Sequence, residues 1–200
     1  MPLLEEEAPR DPFVLFQRWF REAEEAGVPQ PDAMTLATSG EEGPSARMVL
    51  FKGLSNGAFV FYSNYASRKG RDLSHDRRAS LVFYWSATRH QVRVYGIVRK
   101  QRRAASQAYF ASRPRGAQLS ALASRQSHVV RSREVLERRV LELAARYPDE
   151  VPLPKDWGGY ALQPLWIEFW ENREDRLHDR LRYTWRSAYT GAWRIERLAP

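Results

Sequence analysis

The sequence predicts a mainly β protein with flanking helices, an α+β fold built on antiparallel strands. Five short segments rich in apolar, β-branched and aromatic residues occupy the first half of the chain, and most are separated by short polar or glycine-containing turns. Strands joined in this way pair antiparallel and form a closed or nearly closed barrel. Apolar residues at helical spacing before and after these segments predict helices around the barrel. The predicted strands are residues 34–38, 46–54, 58–62, 79–85 and 91–99.

The remaining elements follow from capping and periodicity. Asp11 can cap a helix that has Pro12 at its first position, and apolar spacing carries this helix to about residue 26. Three later helices are predicted, over residues 104–112, 117–124 and 134–147. The C-terminal part predicts a strand over residues 165–170 and a hairpin over residues 181–198 with Gly191 in its turn. We expect an N-terminal tail, residues 1–10, and a single domain, residues 11–200.

Composition limits the possible function. A chain of 200 residues with 43% hydrophobic residues can bury a sizeable core, and without cysteine it can form neither disulfides nor thiolate metal sites. The net charge of +8 invites a nucleic-acid partner, but only 4 of the 32 basic residues are lysine and no block of like charge appears. Scattered cations favour discrete anion sites, so we expect no nucleic-acid partner.

The acidic N-terminus lacks an apolar leader, and no apolar run could span a bilayer, so we expect a cytoplasmic protein without a membrane partner. Four scattered histidines predict no metal site.

Two local patterns suit phosphate binding. Ser67, Arg68 and Lys69 open a predicted helix, where a serine cap, free N–H groups and two cations form a phosphate seat. A capped helix with exposed charge explains the same residues. Tyr109 and Arg113 lie four apart, so a helix presents a hydroxyl beside a fork of donors. A helix-end arginine before a proline is the simpler alternative for that pair.

Two further patterns depend on strand alternation. Arg47 and Lys52 are separated by an odd number of residues, so a flat strand points them to opposite faces. One pocket uses both only if a bulge intervenes or a ligand wraps the end of the barrel. If a strand continues through residues 176–180, Arg176, His178 and Arg180 share one face, where their charges need an anionic or π-rich partner.

Several motifs, in order, resemble one family. The chain has R-M-V-L-F-K at residues 47–52, F-Y-S-N at 61–64, S-R-K at 67–69, Q-V-R-V at 91–94, Y-F-A-S-R-P at 109–114, R-Q-S at 125–127, W-G-G-Y at 157–160, E-F-W-x5-R-L-H-D-R at 168–180 and a closing W-R-I-E-R-L-A-P. This set is similar to the blocks of the pyridoxine/pyridoxamine 5′-phosphate oxidases, and it covers nearly the whole chain from Asp11. The resemblance implies the split-barrel, FMN-binding fold and a homodimer with two flavins at the subunit interface.

The resemblance also implies roles for particular residues. FMN would be lined by Arg47, Met48, Val49, Leu50, Lys52, Tyr62, Ser63, Arg68, Lys69, Gln91, Gln126, Ser127, Trp170 and Arg180. Lys52, Tyr109, Arg113, Arg176 and His178 would bind the substrate, with its phosphate on the first three. Arg176 and His178 would be the catalytic pair, covering the pyridine ring; His178 either orients the ring or moves a proton.

Two features depart from the family pattern. Ala117 stands where the family often has a serine that donates to the substrate phosphate. Losing one neutral hydrogen bond costs about 1 kcal/mol. The N-terminal segment is also short and acidic, without the basic-aromatic stretch that some members fold over the substrate. Both features bear on substrate specificity.

The activity implied by the resemblance is oxidation of pyridoxamine or pyridoxine 5′-phosphate to pyridoxal 5′-phosphate, within vitamin B6 salvage or biosynthesis. Hydride would pass to flavin N5, and dioxygen would reoxidise the flavin and leave as hydrogen peroxide. A related FMN oxidase of the phenazine-biosynthesis type is the nearest alternative. A basic nucleic-acid-binding barrel and a flavin or pyridoxal phosphate carrier without turnover are the others.

Overall fold

The computed structural model describes residues 3–186 and 191–200. Its helices are α1 (Pro12–Glu25), α2 (Arg68–His75), α3 (Arg103–Ser112), α4 (Arg115–Ala123) and α5 (Arg133–Arg146). Its strands are β1 (Ala33–Gly40), β2 (Gly43–Leu50), β3 (Leu54–Ser55), β4 (Ala58–Asn64), β5 (Arg78–Trp85), β6 (His90–Lys100), β7 (Trp157–Glu171), β8 (Asp179–Trp185) and β9 (Trp193–Arg197). The predicted helices and the first five predicted strands are all present, with shifted ends. No helix in the described part of the chain is long and apolar enough to cross a bilayer.

One antiparallel sheet contains the nine strands found in the described residues. Its path runs β2-β1-β5-β6-β7-β4-β3, and β8 pairs with β7 and with β9. The prediction of antiparallel pairing is therefore confirmed. The barrel is not closed, because the path ends at β2 on one side and at β3 on the other. The segment 51–53 bridges these ends through hydrogen bonds from Lys52 N–H to the Val60 carbonyl and from Val60 N–H to the Gly53 carbonyl, at 2.8 and 3.0 Å.

Helix α1 is fixed by its cap and its aromatic face. The Asp11 carboxylate accepts from the N–H of Phe13, and Pro12 occupies the first turn, as predicted. Phe16 is fully buried and its ring lies 4.9 Å from that of Phe59 and 5.1 Å from that of Phe83. Edge-to-face packing of this kind adds to the free energy gained by burying the rings. Helix α1 therefore packs against the main core through aromatic side chains.

A second, smaller core lies beside the first and belongs to the helical segment. It contains Phe110 of α3, Leu119 of α4, Val151 and Trp157. Helix α5 contributes only partly buried residues to it, such as Val140 and Leu143, as is typical of a helix with one apolar face. This core holds α3 and α4 against the start of β7.

Strand β7 is longer than the predicted segment 165–170. It begins at Trp157, because W-G-G-Y pairs with β4 despite two glycines that disfavour strands. A Cβ at Gly158 would lie 2.2 Å from the Tyr65 hydroxyl, so close packing requires glycine there. A bulge opposite Tyr95 and Gly96 accommodates Pro164 within the strand.

Strand β2 ends before the predicted residue 54. The N–H of Phe51 donates to the Asp32 carbonyl at 2.8 Å, and Gly53 has φ +103°, a value that breaks the strand. The turn between β1 and β2 contains only two residues, since Gly40 pairs directly with Gly43. Residues 51–53 thus turn the chain from β1 toward β4.

The condition that a strand continues through residues 176–180 is not met. Strand β8 begins only at Asp179, and Arg176 lies in a turn with φ +66°. The Nδ1 atom of His178 accepts from the N–H of Arg173 at 3.1 Å, which closes this turn. Arg176, His178 and Arg180 therefore do not share one strand face.

Both chain ends pack on β8. Leu3 is buried in the main core, and the Tyr183 hydroxyl donates to the Pro9 carbonyl at 2.9 Å. The predicted C-terminal hairpin is formed by β8 and β9. Its predicted turn at Gly191 adjoins residues 187–190, which lie outside the described residues.

Candidate functional site

The main cavity lies where β2, β4 and helices α2 to α4 meet. Its volume is about 580 Å³. Of the predicted site residues, it brings together Met48, Val49, Leu50, Lys52, Tyr62, Ser63, Lys69, Tyr109, Arg113 and Gln126. Asn64, Ala117, Ser120, Ala121, Ser124 and Trp157 also line it.

One wall of the cavity is an aromatic stack with a cation at its edge. The rings of Tyr62 and Tyr109 stack at 3.8 Å, and Trp157 lies 5.5 Å from Tyr62 in nearly the same orientation. The guanidinium of Arg113 lies 4.9 Å from the centre of the Trp157 ring. Its Nη1 atom is buried and has no hydrogen-bond partner among the described residues. Burial lowers the pKa of Arg113, since desolvation penalises the cation, and the neighbouring Tyr109 opposes that shift. An anion in the cavity would satisfy this atom.

A second wall is formed by the start of α2. The Ser67 hydroxyl oxygen accepts from the N–H of Gly70 at 3.3 Å, which confirms the predicted cap. Gly70 packs on backbone, since a Cβ there would lie 2.1 Å from the Tyr65 carbonyl oxygen. The buried Lys69 donates to the Gln126 side-chain oxygen at 3.0 Å, and the Ser63 hydroxyl donates to the same atom at 3.2 Å.

The pKa of Lys69 indicates that an added anion would be favourable beside its ammonium. The pKa of Lys69 is lowered to about 8, chiefly by burial and also by the nearby Arg47 cation, while Asp72 acts in the opposite direction. A phosphate beside the ammonium would favour its charged form.

Because β2 ends at Leu50, Arg47 lies within the strand and Lys52 lies beyond it. Arg47 lies behind the cavity wall, where its guanidinium donates to the Thr38 hydroxyl at 2.6 Å and approaches Asp72 at 3.4 Å. Lys52 follows the strand and lines the cavity, and its ammonium contacts the Asp32 carboxylate at 2.7 Å. The structure thus brings Lys52 to the cavity and leaves Arg47 outside the lining.

Two other predicted residues lie at the rim. Arg68 opens α2, and its Nη2 atom lies 3.5 Å from the Glu42 carboxylate. Its Nε atom is buried and, within the described residues, has no hydrogen-bond partner. Ser127 is exposed in a loop with φ +72°, outside the cavity lining.

The remaining predicted residues form a second group around the C-terminal end of β7. Gln91 pairs with Trp170, and Trp170 pairs with Arg180, so the three form one row across β6, β7 and β8. The His178 ring lies 4.8 Å from the Trp170 ring. Arg180 donates twice to Glu168, at 3.0 and 2.9 Å. Arg176 is exposed in the adjoining turn.

The two groups lie at opposite ends of β7. Trp157 opens the strand at the cavity, and Trp170 stands beside its last residue. A straight strand of this length spans up to about 48 Å. In one protomer, the cavity lining therefore includes neither Trp170 nor the residues of the 172–178 turn.

Sequence reasoning missed several lining residues. Trp157 stood in the W-G-G-Y motif, but nothing in the local pattern links it to Arg113, which is 44 residues away in the chain. Ser120 and Ser124 share a face of α4 with Ala117, and the spacing 117, 120, 124 was a signal that could have found them.

Comparisons with known proteins identify the family of this chain. The family model described as "Pyridoxamine 5'-phosphate oxidase" matches residues 20–147, and the one described as "Pyridoxine 5'-phosphate oxidase C-terminal dimerisation region" matches residues 157–200. The pyridoxine/pyridoxamine 5′-phosphate oxidase of Burkholderia thailandensis is 52% identical over 191 residues, which cover 95% of this chain and 89% of that protein. The oxidase of the same name from Burkholderia mallei gives the same figures.

Two solved structures are similar to the whole chain. One is PhzG from Burkholderia lata 383 in complex with tetrahydrophenazine-1-carboxylic acid, with a TM-score of 0.91, 32% identity, and coverage of 98% of this chain and 95% of that one. The other is an FMN-binding, pyridoxamine 5′-phosphate oxidase-related protein from Nostoc punctiforme, with a TM-score of 0.76, 17% identity, and coverage of 96% and 100%. The second likeness establishes the fold as the FMN-binding split barrel. The chain belongs to the pyridoxamine 5′-phosphate oxidase family.

Proposed function

We propose that this protein is an FMN-dependent oxidase that converts pyridoxamine or pyridoxine 5′-phosphate to pyridoxal 5′-phosphate, with dioxygen reduced to hydrogen peroxide. The observation that carries the proposal is the guanidinium of Arg113, which lines a cavity together with Lys52, Lys69 and Tyr109 and whose buried Nη1 atom has no partner in the described part of the chain. Relatives 52% identical to this chain carry the corresponding name. We also propose that residues 11–200 act as one domain with residues 1–10 as a tail.

The start of α2 fits the phosphate of FMN. The capped helix offers free N–H groups, and Arg68 and Lys69 add two cations, one with a buried Nε atom that lacks a partner among the described residues and one whose pKa is lowered by burial. Gln126 and Ser63 already contact each other beside Lys69 and would supply neutral polar contacts. When bound, FMN would supply the two-electron acceptor that the side chains lack.

The substrate phosphate would bind on the opposite wall. Arg113 offers the buried Nη1 donor, Tyr109 a hydroxyl and Lys52 a second cation. Lys52 is engaged by Asp32 at 2.7 Å, so binding requires that the ammonium be shared between this carboxylate and the phosphate. Charge-assisted contacts of this kind fix the substrate in place.

A homodimer would complete the site. The group around Trp170 and His178 lies away from the cavity of its own protomer, so a second copy has to supply it. Residues 157–200 match a dimerisation region, and Met48 and Leu50 of β2 are 61% and 41% exposed beside the cavity, which is typical of a surface covered by a partner. In such a dimer, Arg176 and His178 of one copy would orient the pyridine ring held in the cavity of the other.

A second candidate is a flavin oxidase that acts on a phenazine precursor. The observation that favours it is the similarity to PhzG over nearly the full length. Ala117, which provides no hydroxyl for a phosphate, is compatible with it. Arg113 and Lys52 favour the phosphorylated substrate.

The experiment that separates these candidates starts from an absorbance spectrum of the purified protein with added FMN. Peroxide release is then measured with pyridoxine 5′-phosphate and, in a matched reaction, with tetrahydrophenazine-1-carboxylic acid. We expect flavin absorbance and peroxide release with the phosphate ester. Peroxide release with the phenazine compound alone would support the second candidate, and a protein that binds no flavin would contradict both.

A further inference from the structure

The turn that carries Arg176 and His178 is held by bonds of its own and by contacts with the rest of the chain. Residues 172–178 link β7 to β8, and Arg176 is exposed in a left-handed conformation that is unfavourable for residues other than glycine. Within the turn, the N–H of Arg173 donates to Nδ1 of His178 at 3.1 Å, the N–H of Leu177 to the Asp175 carboxylate at 3.0 Å and the N–H of Arg176 to the Arg173 carbonyl at 3.3 Å. These bonds shape the turn, and contacts with the rest of the chain hold it in position.

Asp179 is the anchor at the end of this turn. It is only 8% exposed, and its carboxylate accepts from Nε of Arg173 and from Nη1 of Arg197, both at 2.7 Å. The N–H of Leu3 approaches the same carboxylate at 3.4 Å. Burial alone would raise the pKa of Asp179, but the two guanidinium hydrogen bonds outweigh it and the pKa is lowered. The carboxylate thus stays charged and joins the turn, β9 and the N-terminal tail.

Arg197 connects this anchor to the tail. Its Nε and Nη2 atoms donate to the two carboxylate oxygens of Glu5 at 2.8 and 2.7 Å. Nη2 also donates to the Leu3 carbonyl at 2.7 Å. A bidentate arginine–carboxylate pair fixes geometry better than a single contact does. The tail, whose Leu3 side chain is buried in the core, is therefore fastened to the residue that follows His178.

We propose that Arg197 is a positioning residue, and that the tail segment 3–5 which it fastens braces the 172–178 turn so that Arg176 and His178 meet the substrate. The part of this inference that concerns the substrate rests on the function proposed above; the bracing itself does not. One nitrogen of Arg197 binds Asp179, and Glu5 supplies the second carboxylate, which binds the other two nitrogens. The short acidic tail therefore has a structural role.

The test compares Arg197→Ala and Glu5→Gln with Glu6→Gln as the matched control. Glu6 is exposed, carries the same charge as Glu5, and makes no ion pair in the described part of the chain. Amide hydrogen exchange of the FMN-loaded protein is followed over peptides that cover residues 172–180. Both test variants should exchange on the order of tenfold faster there, since bracing sets the local opening equilibrium, and the control should match the wild type.

Kinetics with pyridoxine 5′-phosphate supply the second measurement. We expect KM to rise about tenfold in both test variants because Arg176 and His178 are misplaced, with the amount of bound FMN unchanged. Exchange that stays at the wild-type rate in residues 172–180 would overturn the bracing, and so would exchange that accelerates equally over the whole chain. Faster local exchange in a protein that never oxidises the phosphate ester would support the bracing and overturn the proposed function.

Discussion

The guanidinium of Arg113 rests over the indole of Trp157, with its Cζ atom 4.9 Å from the ring centre. The aromatic face stabilises the cation and fixes its position without using its N–H donors. One buried nitrogen, Nη1, consequently has no partner among the described residues. This arrangement keeps a donor fork available for an anion that enters the cavity.

Replacing Arg113 by alanine should discriminate between phosphorylated and unphosphorylated substrates. We expect KM for pyridoxine 5′-phosphate to rise about 100-fold, which corresponds to about 2–3 kcal/mol for a charged hydrogen-bonded contact. Weak turnover of unphosphorylated pyridoxine should stay unchanged, because it lacks the group that Arg113 binds. Steady-state peroxide release measures both. Arg138→Ala, on the exposed side of α5, removes the same charge and should have no effect. An equal loss with both substrates would contradict this assignment.

Lys69 should make flavin binding depend on pH. Its pKa in the folded protein is about 8, below the ordinary value of 10.5. Between pH 8 and 10.5 the unfolded chain therefore binds more protons than the folded one. Over this range the stability of the flavin-free protein rises with pH. A bound phosphate favours the ammonium, so binding takes up a proton above pH 8. The affinity for FMN should therefore fall as pH rises above 8, by up to about tenfold per unit.

Quenching of FMN fluorescence between pH 7 and 9.5 measures this dependence. Lys69→Arg stays charged over that range and should bind FMN with little change. An affinity that is flat up to pH 9.5 in the unaltered protein would remove Lys69 from the phosphate site.

Mixed dimers test whether two copies build one site. Arg113→Ala removes a cavity residue, and Arg176→Ala removes a turn residue. If each site combines the cavity of one copy with the turn of the other, a hybrid dimer has one intact site and one that is doubly altered. An equal mixture, unfolded and refolded together, should then recover about a quarter of the unaltered activity. No recovery above the separate variants would mean that both residues act within one protomer.

Ala117→Ser should strengthen binding of the substrate phosphate. The residue lines the cavity near Arg113, and a hydroxyl there adds one neutral hydrogen bond of about 1 kcal/mol. KM for pyridoxine 5′-phosphate should fall about fivefold. Ala111→Ser, exposed on α3, is the matched control and should leave KM unchanged. A higher KM in Ala117→Ser would indicate that the alanine makes room for a different substrate.

Local patterns predicted the elements that depend on local chemistry. The caps at Asp11 and Ser67 and the short apolar, β-branched and aromatic segments of β1, β5 and β6 act over a few residues, and the structure follows them. The predicted ends of strands were wrong where contacts with other segments of the chain determine them. Strand β2 ends at Leu50 because the next residues turn toward β4, where the N–H of Lys52 donates to the Val60 carbonyl, and β7 begins at Trp157 because W-G-G-Y pairs with β4. Neither contact is visible in the pattern of a single segment.

The candidate site shows the same division. The spacing of Tyr109 and Arg113 predicted that they act together, and both line the cavity. Alternation also predicted a shared face for Arg176 and His178, but the left-handed backbone of Arg176 replaces the strand with a turn. The predicted site residues fall into two groups because they lie at opposite ends of β7. No local sequence pattern predicts this separation.

The two-residue connection between β1 and β2 has an evolutionary consequence. Because Gly40 pairs with Gly43, the register of the β1–β2 ladder is fixed. In this register Arg47 points toward Thr38, while Met48 faces outward. Inserting or deleting one residue in that connection would exchange the two faces, expose the guanidinium and bury the thioether against Asp72. Substrate preference on this scaffold can therefore diversify by point substitutions along the cavity, whereas length changes in this hairpin should be selected against.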